Sequence, residues 1–248
     1  MRKESLPSCN PEPLPPELLQ LVVLCEKLAH QYQHDDLAHD RYHRKRVLNL
    51  SLQIRRELPD HERPNLHVTI PAAILHDVVN YPKDHTNRHL AAEHSAQLAS
   101  KLLKESTFPN KFIPEVQDSI ASHSYSGRQT PQIASAKVLQ DADRLDSLGA
   151  IGLYRMTVVG ASLNSNLYHD QDPFCLNRGR DSQKYILDHL VERQLEIPAK
   201  MQTEPGKRMA TQRVKFLHRF QECLIDEIGN TQVEIICSSE RPHLSDPI

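Results

Sequence analysis

Tryptophan is absent, glycine is scarce, and no pair of cysteines stands close together. Seven glycines and no tryptophan in 248 residues, beside abundant Leu, Ala, Gln, Glu and Lys, point away from sheets and towards helices. Neither an internal repeat nor the apolar–polar alternation of strands is in view. Cys9, Cys25, Cys175, Cys223 and Cys237 are odd in number and widely spaced, without a CxxC pair, so they read as reduced thiols and not as a disulfide frame or zinc ribbon. No apolar run approaches the length of a membrane span, and the start MRKESLPSCNPEPLPPE lacks the apolar core of a signal peptide. A soluble, cytoplasmic protein without a membrane partner is expected. A formal net charge of −2 leaves no electrostatic footprint for a nucleic-acid polymer.

What is present is a succession of helical patterns. Residues 1–16 hold five of the 17 prolines and read as a disordered lead. Leu18, Leu21, Val22, Cys25, Leu28 and Ala29 then repeat at helical spacing, giving a first helix over about 17–33. A second is expected over 41–58, a central one over 69–81 with Thr69 as its cap, Pro71 in its first turn and Pro82 at its end, and others over 88–104 and 113–122. A helix around Asp143 continues or breaks near Gly149 and runs on to about 159. Residues 161–183 have loop composition and are long for a connection. Helices over about 183–194 and 205–228 close the foldable chain. The expected organisation is an all-α bundle over 17–160, a loop and helices covering it over 161–228, and a tail over 229–248 with an apolar piece, Val233 to Ile236.

Chemistry gathers on the central helix. His76 and Asp77 follow the apolar run Ala72, Ala73, Ile74 and Leu75, which places both polar groups in a buried setting. A buried carboxylate beside a buried imidazole is costly unless both are satisfied, and a metal ion satisfies both at once. A His-Asp dipeptide alone says little, because chance supplies about one in a chain with 15 histidines and this chain has four: His34-Asp35, His39-Asp40, His76-Asp77 and His169-Asp170. Only the third has a histidine-bearing helix before it, at His43, and a buried DxD helix after it, at Asp143.

That set of His, His-Asp and Asp, drawn from three helices, resembles the HD-domain metal-dependent phosphohydrolase superfamily. The likeness extends to its YedJ/YpgQ-like branch in HDRYHRKRV, LHDVVNYPKDH, HSYS, LQDADRLDSLGAIGLYR, HDQDPF and DHLVERQLEIPAKMQTEPGKRMATQRVKF, which together span about residues 39–220. The resemblance implies an all-α HD fold with a C-terminal helical extension and one divalent metal held by His43, His76, Asp77 and Asp143. Where many HD hydrolases have Gly or an acidic residue shortly after the pair, this chain has Val78-Val79-Asn80, a departure from the guanosine-tetraphosphate-hydrolase type of site. The expected substrate is a small phosphorylated molecule, most simply a nucleotide: a nucleoside triphosphate cleaved to monophosphate and pyrophosphate, or a phosphomonoester.

Mixed nitrogen and oxygen ligation suits Mn, Fe, Co or Ni, with Mg also open, and leaves a position for an activated water. Asp77 is expected to orient that water or take its proton. His123 is the extra histidine expected to act as general acid, touch a leaving phosphate or ligate a second metal. Lys83, Arg88, Arg144 and Lys184 are the candidate phosphate contacts, with Lys207 and Arg213 behind them. Asp141 is expected beside the ligands and Asp146 in a local cap or pair. Two other functions fit the same residues. A di-iron oxygenase would need both His123 and a helix histidine such as His94, and a non-catalytic nucleotide sensor would keep fold and metal without turnover. A homo-oligomer is compatible with either.

Overall fold

The computed structural model describes residues 13–32, 40–81, 85–124 and 130–228. The proline-rich lead up to residue 12, Lys83, and the tail with Val233 to Ile236 lie outside the described residues. The chain is all-α, with no strand among the described residues and a single isolated bridge between Asn166 and Tyr185. No described helix is long and apolar enough to cross a membrane.

The described part divides into two compact units, the first comprising residues up to Asp146 together with Met201–Lys207. In it, α1 (Pro16–His30) opens on a proline and carries Glu17 in its first turn and Lys27 and His30 in its last, each complementing the helix dipole. Asp40 caps α2 (Arg41–Glu57) by accepting the His43 N–H at 2.8 Å. Then comes α3 (Leu66–Leu75), in which every residue from Val68 to Leu75 is buried. A helix apolar on all sides belongs in a core, and α3 packs against α1, α2, α5 (Ile113–Ala121) and α6 (Ala134–Asp146), while α4 (Ala91–Lys104) covers α5.

The start and end of α3 differ from the expected ones. Asn65, not Thr69, supplies the cap, accepting the His67 N–H at 2.9 Å, and the Thr69 hydroxyl donates back to the Asn65 carbonyl at 3.1 Å. Pro71 is consequently the sixth residue of the helix. The helix stops at Leu75, before Pro82, so His76 is its C-cap and Asp77 stands in the turn beyond it.

Beyond Asp146 the chain turns at Leu148 and re-enters a helix, α7 (Gly149–Ser162). Gly149 makes that turn at φ +68°, a left-handed conformation that a side chain would strain. This second unit holds α7, a loop, and α8 (Ile186–His189), which runs into a wider turn at Leu190–Gln194, so the helix expected over 183–194 begins at Ile186. The loop is tied by its own bonds. Asn166 N–H donates to the Lys184 carbonyl, the Asp172 carboxylate accepts from the Leu176 and Asn177 N–H groups, and Arg178 forks onto Asp188. The final helix, α9 (Glu204–Ile228), has its first turn in the first unit and the remainder in the second.

Candidate metal centre

Three elements of the first unit deliver the site. His43 lies in the first turn of α2, where the Asp40 cap fixes the backbone, and is fully buried. His76 and Asp77 come from the end of α3, and Asp143 from the last turn and a half of α6. Side-chain atoms of all four converge. His43 Nε2 lies 3.2 Å from His76 Nε2, 3.5 Å from Asp77 Oδ2 and 3.5 Å from Asp143 Oδ1. His76 Nε2 lies 3.3 Å from Asp77 Oδ2 and 3.9 Å from Asp143 Oδ1. His123, just past α5 and buried, adds its Nε2 at 3.8 Å from Asp77 Oδ1.

The outward nitrogens explain why the inner ones point as they do. His76 Nδ1 donates to the Ala73 carbonyl at 2.9 Å and His123 Nδ1 to the Ile120 carbonyl at 2.6 Å. A carbonyl oxygen only accepts, so each neutral ring carries its proton on Nδ1 and turns the lone pair of Nε2 inward. His43 is held the same way by a carboxylate, with Nδ1 2.7 Å from Asp146 Oδ2. Arg46 in turn donates from Nε to Asp146 Oδ1 at 2.6 Å and from Nη2 to Oδ2 at 3.0 Å. An imidazole backed by a carbonyl or carboxylate is the usual support of a metal ligand.

The roles expected for the two flanking aspartates are thus exchanged. Asp146 is the carboxylate behind a site imidazole. Asp141 turns away and caps α9, accepting from the Gln202 and Thr203 N–H groups and the Thr203 hydroxyl. A Cβ at Gly206 would collide with that carboxylate, so glycine is required there. Both assignments were within reach of helical spacing. Asp143 and Asp146, three apart, share a face of α6, as His43 and Arg46 share one of α2, whereas Asp141 is rotated to another side.

Charge is shared unevenly in the metal-free cluster. Burial opposes a charge on His76, but the Asp77 carboxylate and then Asp143 overcome it and raise its pKa to about 9. Burial likewise opposes a charge on Asp77, yet His76 and the hydrogen bonds from His123, His43 and His76 hold its carboxyl well below the usual range. A proton is therefore locked among acceptors that a divalent cation would satisfy better. Two triads could hold such an ion, His43 with His76 and Asp143, and His76 with Asp77 and His123. Donor atoms sharing one octahedral ion at bonds of ~2.1 Å stand about 3.0 Å apart along an edge and about 4.2 Å apart across the ion, and the observed spacings of 3.2 to 3.9 Å fall between the two.

The remaining expected residues are spread more widely. Arg88 is half-buried and reaches the Tyr81 carbonyl from Nη1 at 3.4 Å, on the segment leaving Asp77. Arg144 adjoins Asp143 on α6 and is half-buried. Lys184, in the second unit, places Nζ 5.4 Å from the centre of the Tyr185 ring beside it. His94 is engaged by Tyr81, whose hydroxyl lies 2.8 Å from its Nδ1, and His89 is exposed.

Residues 41–148, the stretch that holds every ligand candidate, match the family model of the HD domain. Uncharacterized protein YpgQ of Bacillus subtilis (strain 168) is 25% identical over 201 residues, 79% of this chain and 87% of YpgQ. Among solved structures, an HD-superfamily hydrolase from Bacillus thuringiensis is 25% identical with a TM-score of 0.63, covering 87% of this chain and 98% of its own. Bacillus subtilis YpgQ in complex with ADP shares the fold at a TM-score of 0.61 and 22% identity, covering 82% of this chain and 97% of its own.

Proposed function

We propose that the protein is a metal-dependent phosphohydrolase acting on a nucleotide, built on residues 41–148, which match the family model of the HD domain. The observation that carries the reading is the cluster itself: three buried imidazoles, each pinned through Nδ1, turn Nε2 towards the carboxylates of Asp77 and Asp143. His43, His76, Asp77 and Asp143 would hold one divalent ion, with Mn, Fe, Co, Ni and Mg as the candidates. Such an ion supplies Lewis acidity, making a water more acidic and offsetting charge on a phosphate oxygen.

The protein's own groups supply the rest. Asp77 divides its work between two oxygens: Oδ2 faces His43 and His76, and Oδ1 faces His123. Oδ1 is the atom available to orient the attacking water and accept its proton. His123 Nε2, 3.8 Å away, would take a proton to form the imidazolium and give it to the departing oxygen. Arg88, bonded to the segment after Asp77, and Arg144, beside Asp143 on α6, would meet the phosphates. The ADP complex of Bacillus subtilis YpgQ supports a nucleotide as the substrate, and within that class a triphosphate cleaved to monophosphate and pyrophosphate is the form proposed.

The decisive experiment strips the purified protein of metal and re-supplies Mn²⁺, Mg²⁺, Co²⁺ or Ni²⁺ against nucleoside mono-, di- and triphosphates, with phosphate and pyrophosphate release read separately. Metal-dependent pyrophosphate from triphosphates is the expected result. No release of either product with any metal would overturn the reading. The presence of His123 in a second triad, which shares His76 with the first, favours a second, dinuclear reading, the oxygenase. Metal analysis giving one ion per chain and no oxygen uptake with iron would remove it, and His94, occupied by Tyr81, would have to be released for it to hold.

A further inference from the structure

The metal cluster lies at the C-terminal end of α3, and a separate basic cleft lies where that helix begins. A cavity of about 420 Å³ is walled there by Arg55 from α2, by Arg63 and Pro64 before the helix, by Asn65 and His67 at its start, and by Glu17 of α1, and it shares no residue with the metal cluster. Its volume falls within the usual range for small-molecule sites, roughly 300–1,000 Å³.

The two arginines are in different states. Arg63 is fully committed, donating from Nε to the Leu58 carbonyl at 2.8 Å and from Nη2 to the Arg56 carbonyl at 3.0 Å, with Nη1 paired to Asp60 at 2.6 Å. Arg55 uses Nε alone, on the Pro64 carbonyl at 2.6 Å, and its two terminal amines have no acceptor among the described residues. Glu17, the acid on the wall, makes no ion pair with either guanidinium. Burial, followed by the like charge of Arg63, holds the Arg55 guanidinium below its ordinary value. Asp60 offsets the charge of Arg63, whereas the Arg55 amines face the cleft with no ion-pair partner among the described residues, and an anion would supply one.

We propose that this cleft is a binding site for a phosphate-bearing anion, which Arg55 receives with its free amines, at the end of α3 opposite the metal cluster. A guanidinium fork matches phosphate oxygens two at a time. The helix has ten residues, which separates its ends by about 15 Å, too far for one small anion to span both. An occupant here would therefore be bound independently of the metal-dependent chemistry, and the proposal does not rest on it.

The test titrates the full chain, stripped of metal on a chelating resin, with pyrophosphate by calorimetry. One pyrophosphate per chain is expected. Arg55→Gln should weaken binding about tenfold or more at unchanged helix content, Arg55→Lys should retain part of it, and Asp77→Ala should bind as the parent does. No binding without metal, equal affinity in Arg55→Gln, or loss in Asp77→Ala would each overturn the site. A second measurement needs no variant: pyrophosphate should protect Arg55 of the unaltered protein from phenylglyoxal, and unprotected Arg55 at saturating pyrophosphate would sink the assignment.

Discussion

Asp146 in the first unit and Asp188 in the second are both 1% exposed, and each accepts two hydrogen bonds from one arginine. Arg46 reaches Asp146 at 2.6 and 3.0 Å, and Arg178 reaches Asp188 at 2.6 and 2.7 Å. They differ in the third partner. Asp188 takes the Asp181 N–H at 2.7 Å and is complete within its own loop. Asp146 takes His43 Nδ1 at 2.7 Å, and the other nitrogen of that ring remains directed at His76, Asp77 and Asp143. A buried arginine–carboxylate pair therefore says nothing of chemistry by itself. The site is where coordinating capacity is left over once every local bond has been made.

The largest effects should come from deleting that capacity. His76→Ala and Asp77→Ala are each expected to remove bound metal and reduce hydrolysis to background while circular dichroism still reports a folded helical protein, because neither residue lies within the apolar run of α3 that ends at Leu75. Full activity in either variant would break the comparison at its root. Asp188→Ala should do the reverse. It strands Arg178, and losing one partner of a buried pair costs about 3 kcal/mol, at the low end because Arg178 keeps 17% of its surface in solvent. Denaturant unfolding should register that loss while metal content per folded chain stays unchanged. Loss of metal at unchanged stability would show that the second unit contributes to the site.

Asp146→Asn sharpens the contrast. The amide keeps the shape of the carboxylate but not its charge, so His43 loses the partner that fixes its tautomer. Replacing such a supporting group typically weakens metal binding by about 10–100-fold. Calorimetry with Mn²⁺ should find that decrease, with ligand count and fold preserved. An unaltered affinity would reduce Asp146 to a structural residue of the same kind as Asp188.

How far the chain could be read beforehand follows the same division. The apolar run from Val68 to Leu75 declared a buried helix, and His43, His76, Asp77 and Asp143 could be assembled from three helices because each abuts an apolar stripe. The cap at Asn65 escaped because Thr69 and Pro71 offered an equally good local start, and only packing on every side of Val68 and its neighbours selects the earlier one. Tyr81 occupying His94 was beyond reach, since it depends on how the segment after Asp77 crosses α4. So did the knot around Asp172, Arg178 and Asp188, whose composition reads as loop while its bonds are nearly all internal.

The most gradual expected effect, smallest per step, is a slope with pH, and it tests whether leftover capacity is held by a proton until metal arrives. His76 is raised from 6.5 to about 9 in the metal-free protein. A raised imidazole stabilises the folded state fully below its unfolded value and loses that contribution as pH climbs through the folded one. Asp77, depressed, contributes above its ordinary value of 3.8 and loses the contribution as pH falls through its lower folded one. The metal-free cluster is thus most stable between about pH 4 and 6.5. A divalent ion must displace the His76 proton, so its affinity should rise roughly tenfold per pH unit, or about 1.4 kcal/mol, between pH 6.5 and 9, releasing one proton per ion. Calorimetry in buffers of different ionisation enthalpy counts that proton directly. A flat affinity over this range would mean that the cluster is already deprotonated, and that Asp77 and Asp143 do not hold His76 charged in solution.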